Sequence, residues 1–347
     1  MKPKPFTGAA LAIIGLALAT GCAKNANAPT GPTLPPVVTP DPQPPTQPYG
    51  TSSGEGYAEV WDEMINGATT SVEVTEWGGW TYGEHNQVET AVGDDTYVMV
   101  GGGSQTSDPN GNPAAVDAVL TADYPLNDGT FSTFVADNKD HGNIFYNSDL
   151  YTYVIGIRLY GPGHTLIPRS TLLSHMYLVD AESISAEHPS ETISVPSQYD
   201  NRILSGGALD DYGSGYGNLL VEDDWNTTST TASGKDQKVV DYSQIYDFAL
   251  AIDNNPIAGF GTLNVAYFSG FDNITTDLQT LTITVNPGWG ITGVGGLSTY
   301  NSGGYGRLLY NMWAPSTSQV LISTKDQDVD DAHGTISGIV SAIQPAQ

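Results

Sequence analysis

A short charged motif occurs three times in this chain, and its recurrence limits what the chain can fold into. Lysine and aspartate, followed by histidine or glutamine, stand at Lys139-Asp140-His141, Lys235-Asp236-Gln237 and Lys325-Asp326-Gln327. Each copy follows a glycine cluster and an apolar-aromatic segment, and each precedes a small apolar run. The pattern predicts three copies of one unit of about 90–100 residues.

Alternating apolar and polar residues predict that each unit is built from strands. Ile193 and Val195 alternate with threonine and serine, and Leu281, Ile283 and Val285 alternate with threonines. Glycine clusters supply the turns between such runs. We predict an all-β fold of three tandem β-sandwich-like repeats with about six short strands each. The repeats either form separate beads or close around a pseudo-threefold axis. Only residues 59–65 are considered for a short helix.

The predicted organisation has five segments. A signal peptide covers residues 1–22, and a Pro-rich tether of extended character covers residues 23–50. The three β repeats occupy residues 51–160, 161–255 and 256–347.

The first segment carries an export signal. Lys2 and Lys4 precede an apolar run, 6–19, that is too short for an ordinary membrane span. The following stretch, Ala19-Thr20-Gly21-Cys22, resembles a bacterial lipobox, which implies that Cys22 is lipidated and anchors the protein to the cell envelope. Ala23 after the cysteine implies transport outward, to the outer membrane or cell surface. Cleavage at an A-x-A-like site followed by secretion is the alternative.

Several short segments define the pattern of the repeat. They are Gly101 to Gly103, Tyr124-Pro125, Lys139 to His141 and Tyr153 to Ile157 in repeat one, and Leu219-Leu220 with Trp225 and Leu308-Leu309 with Trp313 in the others. This pattern resembles a repeat of secreted bacterial proteins. The resemblance covers nearly all of Gly56 to Ile343. It implies architecture and export, and it carries no assigned activity.

The formal charge of −27 excludes nucleic acid as an expected partner, because such a surface repels phosphate backbones. The charge indicates cation binding or adaptation to a salty or calcium-bearing medium, or simply a solvated acidic face. The single cysteine, Cys22, allows neither an intrachain disulfide nor thiol chemistry in the repeats.

Two signatures of catalytic sites, H-E-x-x-H and the phosphate loop, are missing from the sequence, and we do not expect an enzyme. His85 and His188 lie at matching points of repeats one and two, each after a glutamate. Since repeat three has Asp277-Leu278 there, we interpret the histidines as structural residues at a strand end.

The Lys-Asp copies have two interpretations. They could form a repeated ligand site in which lysine and aspartate bind sugar hydroxyls beside a stacking ring. The candidate residues are Lys139, Asp140, His141, Lys235, Asp236, Lys325 and Asp326, with Tyr124, Trp225 and Trp313 as rings. Alternatively, each copy is a partly buried ion pair that stabilises a turn between two strands. Recurrence of the motif in every unit is what such a structural role predicts.

One acidic run could bind calcium. Asp326, Asp328 and Asp330 alternate along the chain as ligands of a hard cation do. Asp331 stands where an EF-hand loop has glycine, so a polar loop is the alternative. No other cofactor is expected.

Together these features predict a surface-anchored extracellular module for binding or adhesion, with carbohydrate as the candidate ligand. Its membrane contact would be the lipid anchor alone, and its partners a glycan or a cell-surface protein. The alternative is a structural component of the envelope that contacts other proteins, and an enzyme is the third hypothesis.

Overall fold

Period-two alternation produces strands throughout the folded part of the chain. The computed structural model describes residues 57–83, 85–107, 118–140, 147–211, 219–235, 242–276, 278–299, 308–325 and 334–346. All of them belong to one unit, Val38–Gln347. The predicted signal peptide, Cys22 and the tether lie outside the described residues. Among the residues described, no helix has both the length and the hydrophobicity that crossing a membrane requires.

The strands of repeat one are β1 (Tyr57–Asn66), β2 (Ser71–Gly83), β3 (His85–Ala91), β4 (Val98–Ser107), β5 (Ala118–Pro125), β6 (Thr133–Asp140) and β7 (Ser148–Gly161). Repeat two contains β8 (Thr165–Leu166), helix α1 (Arg169–Leu173), β9 (Met176–Glu182), β10 (Ser190–Ser194), a 3-10 turn (Ser197–Tyr199), β11 (Ile203–Ser205), β12 (Ala208–Asp211), β13 (Leu219–Trp225), β14 (Ser229–Lys235) and β15 (Gln244–Ile252). Repeat three contains β16 (Leu263–Asn273), β17 (Leu278–Thr284), β18 (Gly290–Thr299), β19 (Leu308–Ser316), β20 (Gln319–Lys325) and β21 (Thr335–Pro345).

Six strand positions, lettered A to F in chain order, recur in every repeat. They are A (β2, β9, β16), B (β3, β10, β17), C (β4, β11 with β12, β18), D (β5, β13, β19), E (β6, β14, β20) and F (β7, β15, β21). These strands form three antiparallel sheets, each in the order A-F-C-D-E-B. The all-β prediction and the arrangement in three sandwich-like parts are confirmed.

Each sheet is shared between two repeats. Sheet I joins strands A-F-C of repeat one to D-E-B of repeat three, and β1 and β8 are added to it. Sheet II joins A-F-C of repeat two to D-E-B of repeat one, and sheet III joins A-F-C of repeat three to D-E-B of repeat two. Each repeat is still a sandwich, because its own two half-sheets pack face to face. The C–D pairings therefore link the three repeats into a closed ring, which decides against separate beads.

Glycines and bulges mark the centre of this ring, where the three C strands contact one another. Strand C has a register shift at the same place in every repeat, around Val100, Leu204 and Thr292. The next residues are Gly101, Ser205 and Gly293. A Cβ on Gly101 would lie 2.2 Å from the carbonyl oxygen of Thr292, and one on Gly293 would lie 2.3 Å from that of Leu204. The glycine clusters therefore allow three backbones to meet.

The three D strands also contact one another, and their first apolar residues share one cluster. Val119, Leu219 and Leu308 occupy the same position of each repeat and are fully buried together with Tyr310. One residue from each repeat thus contributes to a common apolar contact at the pseudo-threefold axis, which stabilises the ring through burial of apolar surface.

Residues 59–65, considered for a helix, belong instead to strand β1. That expectation was wrong because the segment pairs along its length with β2. Its better buried side chains, Trp61, Glu63 and Ile65, recur every second residue, which is the period of a strand.

Candidate functional site

The lysine motif marks one position of the fold in all three copies. Lys139, Lys235 and Lys325 are each the last or penultimate residue of strand E. Each pairs across to strand D with the residue of the axial apolar cluster, which is Val119, Leu219 or Leu308 respectively. Lys139 is 2% exposed and Lys325 5%, whereas Lys235 is half-buried. Two of the three lysines are therefore buried, as residues with a structural role usually are.

The other polar residues of the motif fall where the structure gives no side-chain description. The side chain of Asp140 and the whole of His141, Asp236 and Asp326 lie outside the described residues. The predicted calcium ligands Asp326, Asp328 and Asp330 lie there too. Within the described ranges, no group of three or more histidine, cysteine, aspartate or glutamate residues is arranged to hold a metal ion.

The three predicted stacking rings have different surroundings. Tyr124 is fully buried and stacks on Phe248 at 4.8 Å between ring centroids. Trp225 is 5% exposed, and its indole N–H donates to Ser341 Oγ at 2.9 Å. Neither ring offers a face to a ligand from solvent. Trp313 is half-buried and stacks on Tyr153 at 4.8 Å.

Trp313 belongs to a group of aromatic residues on the outer face of sheet I. Trp80 pairs with Tyr151 across strands β2 and β7, and their rings stack at 6.4 Å. Tyr153 lies two residues beyond Tyr151, so both point to the same face. With Trp61 of β1, these residues form what we call the aromatic groove: Trp61, Trp80, Tyr151, Tyr153 and Trp313.

The groove is concave. The indole N–H of Trp61 donates to the carbonyl oxygen of Ala314 at 2.9 Å, although β1 and β19 are separated by β2, β7 and β4 in the sheet. Four strand spacings of a flat sheet would span roughly 19 Å, beyond the reach of one side chain. Sheet I must therefore curl, which brings its first and fifth strands together around the rings.

Glycines leave room for the rings. A Cβ added to Gly78 would contact the Tyr153 ring and Val60, at 3.2 Å each. Gly103 lies beside Tyr153 on strand β4, between that residue and Trp313 on β19. Because Gly103 has no side chain, the two rings meet across the strand that separates them.

Polar groups lie among the rings. The Tyr153 hydroxyl donates to Gln105 Oε1 at 3.2 Å, and Gln105 and Asp149 are half-buried on the same face. Glu76 is fully buried, and burial raises the pKa of its carboxyl well above the usual value. Burial and the Glu76 carboxylate raise the pKa of Tyr153 as well. The site combines half-exposed ring faces with an amide and a carboxyl group.

Sequence reasoning identified Trp313 but missed the other four rings of the groove. Trp80 with Tyr82, and Tyr151 with Tyr153, are aromatic residues two positions apart, a spacing that places both rings on one face of a strand. This signal was available. The contribution of Trp61 was not, since it depends on the curl of sheet I.

No protein-family model matches the chain, and no curated protein sequence matches it.

Proposed function

We propose that the protein is an exported module that binds carbohydrate in the aromatic groove. The observation that carries this proposal is the half-exposure of Trp61, Trp80, Tyr151 and Trp313 around one concave face. Aromatic rings present flat apolar faces, and the indole N–H and phenol O–H add polar edges. Sugar rings have the complementary pattern, with C–H groups on their faces and hydroxyls around their rims.

The polar groups of the groove suit the same ligand. Gln105 offers both a donor and an acceptor, Asp149 an acceptor, and the tyrosine hydroxyls either. A concave site with many apolar groups and a few polar ones is the usual composition of a ligand site. Attachment through Cys22 and the Pro-rich spacer would hold this groove away from the membrane, which fits adhesion to an extracellular glycan.

The test measures binding of purified protein to insoluble polysaccharides (cellulose, chitin and peptidoglycan) and to their soluble oligosaccharides by calorimetry. Trp80→Ala and Trp313→Ala should each weaken binding about tenfold, since one ring contact contributes about 1.5 kcal/mol. Phe271→Ala is the matched control, because Phe271 is 64% exposed on β16 of sheet III. It should bind as the parent protein does.

Two results would count against the proposal. Binding to none of these polymers would remove the carbohydrate assignment and favour a protein-contact role in the envelope. Equal loss of binding in Phe271→Ala and Trp80→Ala would show that the ligand does not use the aromatic groove.

A further inference from the structure

A second candidate site lies on the outer face of sheet III, around the one lysine of the motif that is not fully buried. A cavity of ≈ 420 Å³ is lined there by His188, Pro189, Ser190, Val221, Glu222, Ser233, Gly234 and Lys235. Its volume falls within the roughly 300–1,000 Å³ of small-molecule sites. All of its residues come from repeat two, so the cavity shares no residue with the aromatic groove.

The same positions are closed in the other repeats. In repeat three, Tyr310 stands at the position of Val221, and it is fully buried against Leu308 with Leu278 packed nearby. Leu278 in turn stands opposite Lys325, which is 5% exposed. We infer that the smaller Val221 leaves open in repeat two the space that a tyrosine occupies in repeat three.

Repeat one closes the position by different means. His85 stands opposite Lys139, which is 2% exposed, and Asn86 at the next position is fully buried. The Asn86 amide donates to the backbone oxygens of Gly83 and Ser148, each at 3.0 Å. Repeat two has Pro189 at the position of Asn86, and proline has no side-chain amide with which to make this link to strand F.

The cavity brings together a donor, an acceptor and hydroxyl groups. Lys235 supplies an ammonium group, and the Ser233 hydroxyl donates to Glu222 Oε2 at 2.9 Å. Ser190 adds a second hydroxyl, while Val221 and Pro189 provide apolar surface. A hydroxyl group can accept from an ammonium while donating to a carboxylate, so two adjacent hydroxyls can hydrogen-bond to both residues.

The surrounding charge disfavours other ligand classes. Glu222 lines the same cavity as Lys235 and offsets its positive charge, so a phosphate or sulfate is disfavoured. A metal ion would need a set of ligands that the described residues do not assemble. We propose that this cavity, the Lys235 site, binds one neutral sugar residue through a pair of adjacent hydroxyls held between Lys235 and Glu222.

The test titrates the purified protein with the methyl β-glycosides of glucose, galactose and N-acetylglucosamine, followed by saturation-transfer NMR. At least one glycoside should bind. Lys235→Met should weaken that binding about tenfold or more, because it removes a charge-assisted hydrogen bond. Val221→Tyr, which installs the residue of repeat three, should abolish it by filling the cavity.

Two controls separate this site from loss of folding and from the aromatic groove. Thr231→Ala changes the same strand, at a side chain 3.2 Å from Thr192 Oγ1 and outside the cavity, and it should bind normally. The losses caused by Lys235→Met and Val221→Tyr should be the same in the Trp80→Ala background as in the parent protein, which assigns them to this cavity and not to the aromatic groove. Thermal unfolding confirms that each variant is folded.

Three outcomes would overturn the proposal. One is that none of the glycosides binds. Another is that Val221→Tyr binds them as tightly as the parent protein. The third is that inorganic phosphate binds and Lys235→Met abolishes it, which would make the cavity an anion site.

Discussion

The outer faces of sheets I and II contain the same aromatic stack in different surroundings. Trp313 of repeat three stacks on Tyr153 of repeat one at 4.8 Å, and Tyr124 of repeat one stacks on Phe248 of repeat two at 4.8 Å. Each pair joins strand D of one repeat to strand F of another. Tyr124 and Phe248 are fully buried, whereas Trp313 is half-exposed. The stack therefore links neighbouring repeats in both sheets, but only sheet I leaves part of it accessible to a ligand.

The inner faces of sheets I and II differ at the residue of strand F that precedes the stacked ring. Sheet I has Thr152, whose hydroxyl donates to the backbone oxygen of Val88 at 3.1 Å. Sheet II has Asp247, which accepts from the Ile193 N–H and the Thr230 hydroxyl, each at 2.9 Å. A neutral hydroxyl and a buried carboxyl thus occupy equivalent positions. This position of sheet II should therefore respond to pH, whereas the same position of sheet I should not.

The largest expected effect concerns Asp247. Burial, together with the carboxylates of Glu191 and Glu222, raises its pKa to about 8. Because this folded-state value exceeds the unfolded one, the free energy of unfolding should fall as the pH rises from about 4 to about 8, with an upper bound on the order of 5 kcal/mol. Urea unfolding of the parent and of Asp247→Asn across this range checks it.

The asparagine variant should lose that share of the pH dependence, because it cannot ionise. Asp123 and Asp223 are also buried carboxyls with raised pKa values, so the comparison rests on the difference between the two profiles. Parallel profiles for parent and variant would contradict the assignment of this pH dependence to Asp247.

The next effect tests the buried stack. Tyr124→Ala should lower the free energy of unfolding by about 4 kcal/mol, because it removes a fully buried ring and leaves a cavity in sheet II. Chemical denaturation measures this. Tyr124→Phe preserves the ring and should cost much less. A loss under about 1 kcal/mol for Tyr124→Ala would mean that the stack does not hold repeats one and two together.

A smaller effect is expected at the axis, where sheet I has Gly101 and sheet II has Ser205. Gly101→Ala should destabilise the protein by about 2 kcal/mol, since its Cβ would lie 2.8 Å from the Ser205 Cβ as well as against Thr292. Ser205→Gly should cost about 1 kcal/mol or less, because it removes atoms from the contact. Thermal unfolding of both variants gives the order, and the reverse order would contradict the close approach of the three C strands.

The smallest loss of stability is expected at the half-exposed stack. Trp313→Ala should lower the free energy of unfolding by about 1.5 kcal/mol, well below the value for Tyr124→Ala, because less ring surface leaves the protein interior. Denaturation measured alongside Tyr124→Ala provides the comparison. A loss equal to that of Tyr124→Ala would indicate that Trp313 is mainly architectural and would weaken its assignment to the groove.

The sequence alone predicted the class of fold and the number of repeats. Threonine alternation in Thr192–Val195 and Leu281–Val285 indicated strands, since a strand with one buried face leaves a period of two in its residues. The lysines at 139, 235 and 325 indicated three units, because each occupies the same place in strand E. Each of these features is a short run of neighbouring residues, so it can be recognised from the order of residues alone.

The tertiary structure alone decided how the repeats join and which rings are accessible. The C–D pairings between repeats, such as Met312 with Ser104, involve few residues and consist of backbone hydrogen bonds, which any residue type can make. Tyr124 and Trp313 are both aromatic residues of strand D, and only the curl and packing of their sheets bury one and expose the other. Residue type determines what a side chain can do, and the neighbours that the closed ring brings to it determine whether a ligand can reach it.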